Sequence, residues 1–167
     1  MSAEAALAAL RARGLTLATA ESLTGGLVGA ALTAVAGSSD VYRGGVVCYA
    51  TDLKATLAGV PADVLDAHGP VAPETAAALA RGVARACGAD VGVATTGVAG
   101  PSPQDGHPVG EVYVAAALPG QEPEVRRLHL AGDRDAIRGA TVEAVLDLLL
   151  GLAGALPGVP PEAQPEG

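Results

Sequence analysis

The chain has 167 residues, a formal net charge of −8 and a composition that is 50% hydrophobic, with neither Phe nor Trp. This length suits one domain with a single core, which must be built from Ala, Val and Leu. The negative charge opposes unspecific binding to nucleic acid or to an anionic membrane, and the scarcity of aromatic side chains argues against base stacking. A local basic site for a small anionic ligand is compatible with this composition.

The cysteines and the hydrophobic segments narrow the class of protein further. Cys48 and Cys87 lack metal-ligand spacing, and no signal-like segment opens the chain. Cys48 can be read as a nucleophile, although a small buried hydrophobe is the simpler interpretation. The Leu-rich stretch 142–156 is too short to span a bilayer and carries Glu143 and Asp147, so it predicts a helix that faces the core. We expect a cytoplasmic protein without a metal or another cofactor.

The first half of the chain alternates helical and strand-like patterns. Alanine-rich periodicity predicts the first helix, and a strand then leads into a turn with two glycines. A second helix, a second strand and three further helices follow. The predicted ranges are helix 3–13, strand 15–20, turn 21–26, helix 27–35, strand 44–49, a short helix with Lys54 in its first turn, a short helix ending at 67, and helix 73–87.

The second half predicts three strands and a terminal helix. The strands are 90–96, 109–118 and 124–130, the last two forming a hairpin, and the helix is 133–152. This order predicts an α/β domain, layered, with helices packed on a mixed sheet that is parallel early and antiparallel late. We expect residues 1–156 to be one domain and the Pro- and Gly-rich residues 157–167 to be a disordered tail.

Lys54 is the only lysine, whereas arginine occurs nine times. Arginine serves solvated charge, ion pairs and phosphate contacts as well as lysine does, but only lysine readily loses its proton when it is desolvated near neutral pH. A site that needs a neutral amine therefore requires lysine. The alternative is a chance surface position in a chain that avoids lysine.

Two loops that follow strands carry the polar residues of interest. Residues 21–26 place Ser22 at a strand-to-helix turn, where glycines allow tight geometry and exposed amides suited to an oxyanion or a phosphate. A plain helix cap by Ser22 or Thr24 is the alternative. Residues 95–101 follow a later strand and contain small residues. Because open α/β sheets bind ligands at the carboxyl ends of their strands, we expect both loops and Tyr49 to share one cleft.

Eight segments, in order, resemble the CinA C-terminal-domain family. They are AESLTGG at 20–26, GSS at 37–39, GVVCY at 45–49 with Lys54, GV at 59–60, HGPV at 68–71, TGVAGP at 96–101, PVG at 108–110, and GDR at 132–134 with Arg138. The resemblance covers residues 5–152. It implies a nicotinamide-nucleotide amidohydrolase that converts nicotinamide mononucleotide and water to nicotinic acid mononucleotide and ammonia. It also implies a link to pyridine-nucleotide salvage, competence and DNA damage.

The matching residues make chemical sense of that reaction. Ser22 is the expected nucleophile, Lys54 its base and the proton donor to ammonia, and Tyr49 a residue that orients or relays the proton. Direct attack by water with Lys54 as base is the alternative mechanism. The expected binding residues are Thr24, Gly25 and Gly26 at an oxyanion site, Thr96, Gly97 and Gly100 beside the nucleotide, and Arg134 and Arg138 at the phosphate. Pairing of the two arginines with nearby acids is the alternative for them.

Some positions depart from the family pattern. Ser102-Pro103 stands where a glycine pair is common, His107 takes the usual lysine position, and Leu23 replaces a frequent cysteine. These changes bear on substrate affinity and loop conformation more than on reaction type. Two other functions thus compete: a non-catalytic nucleotide-binding module that serves a DNA-uptake or repair partner, and a serine–lysine hydrolase of another small amide. The family resemblance implies a homodimer, for which a Leu-rich helix face is a candidate interface.

Overall fold

The computed structural model describes residues 2–156, which form a five-stranded sheet covered by six α helices. The helices are α1 (Ser2–Arg11), α2 (Leu27–Thr33), α3 (Thr51–Ala58), α4 (Ala62–His68), α5 (Pro73–Cys87) and α6 (Arg134–Ala155). The strands are β1 (Leu17–Glu21), β2 (Tyr42–Val47), β3 (Val91–Gly97), β4 (Glu111–Ala117) and β5 (Glu124–His129). A 3-10 turn, Ser38–Asp40, precedes β2.

The sheet has the strand order β2-β1-β3-β4-β5. β1 pairs in parallel with both β2 and β3, whereas β4 runs antiparallel to β3 and β5. The predicted α/β layered fold, with a sheet that is parallel early and antiparallel late, is therefore confirmed, as is the β4–β5 hairpin. Because β1, β2 and β3 are parallel, their carboxyl ends lie at one edge of the sheet, where the turn after β1, Tyr49 and the loop after β3 all begin.

Each face of the sheet carries its own core. Val112, Val114 and Ala116 of β4 join the core formed with α1, α2 and α6, whereas Tyr113 and Ala115 join the opposite core with α3, α4 and α5. This alternation follows from the two-residue period of a strand. Both cores consist of aliphatic side chains almost throughout, as the composition requires.

Two glycines, one in α5 and one in β3, let α5 pack unusually close to α3 and to the sheet. A Cβ on Gly82 of α5 would lie 1.6 Å from the carbonyl oxygen of Ala58, the last residue of α3. A Cβ on Gly92 of β3 would lie 1.9 Å from the carbonyl oxygen of Ala80 in α5. Since real Cβ atoms do not approach so closely, only glycine lets α5 rest directly on α3 and on the sheet. The position of α3 relative to the sheet is thereby fixed.

The element bounds differ from the predicted ranges at both ends of several strands. β2 ends at Val47, so Tyr49 lies beyond the strand rather than in it. β4 begins at Glu111 instead of residue 109, because Gly110 has a φ of 88°, which interrupts regular strand geometry. Leu146, Leu148 and Leu149 of α6 are buried in the first core, and the partly buried Leu150 and Leu152 pack against it. The tail predicted for residues 157–167 lies outside the described residues.

Candidate active site

The turn after β1 is held by the side chain of Glu21. This carboxylate is buried and accepts hydrogen bonds from the backbone amides of Gly26, Val28 and Gly29 at 2.9, 3.0 and 2.8 Å. These amides lie at the N-terminus of α2, where free donors and the helix dipole favour a negative group. Glu21 therefore fixes the path of the chain through the turn that carries the candidate nucleophile.

Lys54 meets Ser22 at this turn. The lysine is carried by the first turn of α3 and is 1% exposed. Its Nζ donates to the Ser22 Oγ at 3.0 Å, to the Cys48 carbonyl at 2.9 Å and to the Tyr49 carbonyl at 3.5 Å. None of the ion pairs formed within residues 2–156 involves Lys54. The amine is thus buried without a carboxylate partner, against a serine hydroxyl.

This environment favours the neutral amine. Burial lowers the pKa of Lys54 below its ordinary value of 10.5, and the interaction with the Cys48 thiol acts in the opposite direction. Burial raises the pKa of Cys48, whose side chain is fully buried. A thiol in this setting is a poor nucleophile, so the simpler interpretation of Cys48 as a buried hydrophobe fits the structure. Lys54, in contrast, is suited to accept a proton from Ser22.

Ser22 and Lys54 open into a cleft with an empty volume of about 550 Å³, its mouth included. The cleft lies at the carboxyl ends of the parallel strands, where the sequence predicts it. One wall comes from the loop after β3, another from the segment between α4 and α5, and the rim from the start of α6. The lining residues are Ser22, Leu23, Tyr49, Thr51, Lys54, Pro70, Val71, Thr96, Gly97, Val98, Ala99, Gly100, Ser102, Gln104 and Arg134.

The residues predicted for the nucleotide side lie in this cleft. Thr96, Gly97 and Gly100 all line it. Thr96 is buried, and its hydroxyl donates to the Pro70 carbonyl at 2.6 Å, so its main contact joins two walls of the cleft. Thr24, predicted to offer its backbone amide at the oxyanion site, is not part of the cleft lining. Its side chain is fully buried and shares a 2.8 Å hydrogen bond with the Thr95 hydroxyl.

The predicted oxyanion site needs correction at two amides. The Gly25 amide donates to the Ser22 carbonyl at 3.1 Å, and the Gly26 amide donates to Glu21, so both donors are already used inside the turn. Within residues 2–156, several cleft residues have backbone amides that donate to no other group, among them Leu23, Ala99 and Gly100. These are the amides available to a negative oxygen in the cleft. The glycines in the sequence predicted the position of the turn. They could not predict which of its backbone amides remain free.

Arg134 stands at the rim of the cleft together with Tyr49. Its guanidinium donates to the Gly100 carbonyl at 2.7 Å and to the Tyr49 hydroxyl at 3.0 Å. The Tyr49 side chain is 61% exposed, and its hydroxyl has no hydrogen bond to Lys54. The contacts therefore differ from the expected proton relay: the Tyr49 carbonyl contacts the lysine, and its phenol orients the arginine.

Arg138 lies outside the cleft lining. Its Nε donates to the Leu23 carbonyl at 3.0 Å, one Nη donates to the Thr24 carbonyl at 3.2 Å, and the other lies 3.6 Å from Asp135. The expectation that Arg138 contacts the substrate phosphate is not supported, because its guanidinium already binds the back of the serine turn. The four-residue spacing predicted that Arg134 and Arg138 share one helix face. It could not predict that Arg138 binds the carbonyls of the serine turn.

Sequence reasoning missed part of the cleft wall. Ser102 and Gln104 line it, and the only signal was the departure from the family pattern at Ser102. Thr51 lines the cleft as well. Among residues 2–156, no group of three or more His, Cys, Asp or Glu residues is arranged to hold a metal ion. The described part of the chain also contains no helix with the length and apolarity needed to cross a membrane.

The sequence model of the protein family named CinA C-terminal domain matches residues 1–153 of this chain. The chain belongs to this family. A CinA-like protein from Myxococcus xanthus is 47% identical over 146 residues, which are 86% of this chain and 34% of that protein. A CinA-like protein from Frankia casuarinae is 48% identical over 145 residues, 87% of this chain and 33% of that protein. The chain thus spans about a third of the length of the curated relatives it matches.

Solved structures of the family share the fold. The crystal structure of the competence damage-inducible protein A from Klebsiella pneumoniae superposes with a TM-score of 0.87 at 34% identity, covering 92% of this chain and 96% of that chain. The competence/damage inducible protein from Agrobacterium tumefaciens gives a TM-score of 0.84 at 36% identity, covering 90% and 94%. The family resemblance of the sequence motifs is therefore confirmed over nearly the whole described chain.

Proposed function

We propose that the chain is an amidohydrolase that converts nicotinamide mononucleotide and water to nicotinic acid mononucleotide and ammonia. One observation carries this proposal: the only lysine is buried without a counter-ion, 3.0 Å from a serine hydroxyl that opens into a cleft. A buried lysine beside a serine is a known way to activate a nucleophile without a metal. The family resemblance supplies the substrate, and the cleft has polar groups suited to it.

Hydrolysis would proceed in two stages. Neutral Lys54 takes the proton of Ser22 as the serine oxygen forms a bond with the amide carbon, and the carbonyl electrons move to oxygen. Lys54 then gives that proton to the departing nitrogen, ammonia leaves, and an ester on Ser22 remains. In the second stage Lys54 takes a proton from water, the hydroxide attacks the ester, and the proton returns to Ser22. Direct attack by a water molecule on the amide, with Lys54 as base, remains the alternative.

Two further features of the cleft support the proposed reaction. The amides of Leu23, Ala99 and Gly100 are available to the negative oxygen of the intermediate. Arg134 supplies the positive charge at the rim that a phosphate needs, and the Tyr49 hydroxyl and the Gly100 carbonyl hold its guanidinium in place. The amide would then sit at the bottom of the cleft and the phosphate at its mouth.

The test is direct measurement of nicotinic acid mononucleotide and of ammonia from purified chain, without added ATP or metal. A panel of small amides is assayed beside it. Turnover of nicotinamide mononucleotide that disappears in Lys54→Met supports the proposal. Turnover of another amide alone would assign a different substrate to the same serine–lysine pair, and binding without any turnover would assign a nucleotide-binding module.

We place the proposed activity in cytoplasmic pyridine-nucleotide salvage and assign the chain a homodimeric state. Sedimentation equilibrium measures the mass of the particle, and a monomer at all concentrations would refute this part of the proposal.

A further inference from the structure

Residues 99–109 of the loop between β3 and β4 form a projection beside the cleft, here called the finger. Its base is closed by a 2.8 Å hydrogen bond from the Gly110 amide to the Val98 carbonyl. Near its tip, Gln104 and His107 exchange two backbone hydrogen bonds, of 3.1 and 2.8 Å. Between them, Asp105 and Gly106 have φ values of 50° and 80°. This is a two-residue hairpin turn of the Asp-Gly type, which fixes the tip in one conformation.

The finger presents uncharged polar groups to the cleft. Ser102 and Gln104 line the cleft, and both are exposed. Within residues 2–156, the Ser102 hydroxyl has no hydrogen-bond partner, and the Gln104 side chain has only a long contact of 3.4 Å to Asp105. These groups are therefore free to bind a ligand. An amide and a hydroxyl both donate and accept hydrogen bonds, which suits the hydroxyl groups of a sugar better than an anion.

A buried carboxylate holds the finger to the sheet. Glu111, the first residue of β4, is 3% exposed. One carboxylate oxygen lies 3.0 Å from His107 Nδ1, and the other accepts a hydrogen bond from the Tyr113 hydroxyl at 2.8 Å. The second oxygen also forms an ion pair with Arg127 at 2.8 Å. The Tyr113 bond has the largest effect and lowers the pKa of Glu111, in the same direction as His107 and Arg127 and against the effect of burial. Glu111 is thus charged and fixed in orientation.

A continuous chain of contacts links this carboxylate to the cleft. Tyr113 and Arg127 of the sheet hold Glu111, Glu111 holds the His107 ring, and the His107 backbone holds that of Gln104. No member of this chain before Gln104 lines the cleft. Its effect on a substrate must therefore pass through the finger.

We propose that Glu111 is a positioning residue which, through His107, holds Gln104 and Ser102 as a subsite for the hydroxyl-bearing, uncharged part of the substrate. The subsite rests on the proposed function for the identity of that part, the ribose. Arg134, on the other side of Gly100, would take the charged group. The finger thereby determines which amides are accepted, whereas Ser22 and Lys54 determine the reaction.

The experiment compares Glu111→Gln, Gln104→Ala and the double variant. Each single change should raise the KM for nicotinamide mononucleotide about tenfold, because about one hydrogen bond is lost. The kcat should stay within about twofold of the wild-type value. Because both act through one subsite, the double variant should be no worse than the worse single variant. Effects that multiply would overturn the proposal. Gln104→Ala should also leave unchanged the KM for the 2′,3′-dideoxy analogue, and an equal rise for both substrates would refute sugar contact.

Two controls separate positioning from general damage. Glu124→Gln makes the same chemical change on a half-exposed carboxylate of β5 and should alter neither constant. His107→Lys places a hydrogen-bond donor opposite Glu111 and should restore most of the affinity that His107→Ala loses. If lysine does no better than alanine, the side chain of residue 107 does not connect Glu111 to the finger.

Amide hydrogen exchange makes failure of this inference distinguishable from failure of the proposed function. Glu111→Gln should speed exchange of the Gln104 and His107 amides and leave the Gly110 amide unchanged, whether or not the chain turns over. If the wild-type chain does not hydrolyse nicotinamide mononucleotide, the proposed function fails, and calorimetric titration with that nucleotide replaces the KM comparison. Unchanged exchange refutes the role of Glu111, and unchanged affinity or no binding at all refutes the subsite.

Discussion

Replacement of Lys54 by methionine tests the central interaction of the site, because it removes the amine and keeps an unbranched side chain of similar length. The loss exposes an unpaired, buried carbonyl at Cys48, which costs about 1–3 kcal/mol. It also removes the cost of a buried amine, about 1.4 kcal/mol for each unit by which its pKa is lowered. These effects oppose each other, so we expect the free energy of unfolding at pH 7 to change by less than about 2 kcal/mol and the chain to stay folded.

The free energy of unfolding of the wild-type chain, compared with that of Lys54→Met, should depend on pH in a definite direction. The pKa of Lys54 is lower in the folded chain than its ordinary value of 10.5. Between those two values the unfolded chain binds more protons than the folded one, so stability rises with pH. The destabilisation by the charged amine is fully present below the folded pKa and is lost as pH approaches 10.5. The wild-type chain should therefore gain stability relative to Lys54→Met as pH rises, by up to about 1.4 kcal/mol per pH unit.

Urea unfolding of both proteins at pH values from 6 to 10 measures this difference, and other titrating groups cancel because they are common to both. Over the same range, turnover by the wild type should rise as Lys54 loses its proton. Turnover by Lys54→Met should be lower by about 10²–10⁴-fold at pH values where Lys54 is neutral, and this difference should shrink as pH falls. A stability difference that does not vary with pH would refute the lowered pKa, and near-normal turnover would refute Lys54 as the base.

Further variants test the other parts of the site. Ser22→Ala should abolish turnover and any covalent intermediate detectable by mass spectrometry, whereas retained turnover would favour direct attack by water. Arg134→Ala should raise the KM about tenfold for nicotinamide mononucleotide but little for its nucleoside. Arg138→Ala should instead lower the free energy of unfolding by about 1–3 kcal/mol and affect both substrates equally, and selectivity for the phosphorylated substrate would restore the original expectation. Gly82→Ala should destabilise the chain by about 1–3 kcal/mol in urea unfolding, because its Cβ would meet the Ala58 carbonyl, while Gly139→Ala, with open space around it, should be neutral or stabilising.

The order and type of the secondary-structure elements could be predicted because the local signals agree with one another. Pro73 begins α5 and Gly88, at a φ of 60°, follows its last residue, so the sequence predicted that helix to the residue. The strand ends were less predictable, since they depend on partners distant in the chain. Gly110 determines where β4 begins. Its amide donates a hydrogen bond to the Val98 carbonyl, and its carbonyl accepts one from the Leu130 amide.

The site was predictable where a residue type has a single chemical use, and less so where several donors compete. Lys54 stood out because arginine cannot replace a neutral amine, and the turn at Ser22 because of its glycines. Which amides of that turn are free depends on Glu21, which bonds the Gly26 amide from inside the fold. Arg134 and Arg138 look equivalent in sequence, and only the path of residues 23–24 beneath α6 separates their contacts.

The three neighbours of Lys54 explain how one buried amine can change its charge without a rearrangement. A neutral amine donates two hydrogen bonds and accepts one, which matches two carbonyl oxygens, of Cys48 and Tyr49, and one hydroxyl that can donate. After it takes the proton of Ser22, the ammonium donates all three bonds to the same three oxygens. Every partner is satisfied in both states, so the proton moves between the nitrogen and Ser22 while the heavy atoms stay in place. A guanidinium has no lone pair for this exchange, which is why arginine, used elsewhere in the chain, would fail at this position.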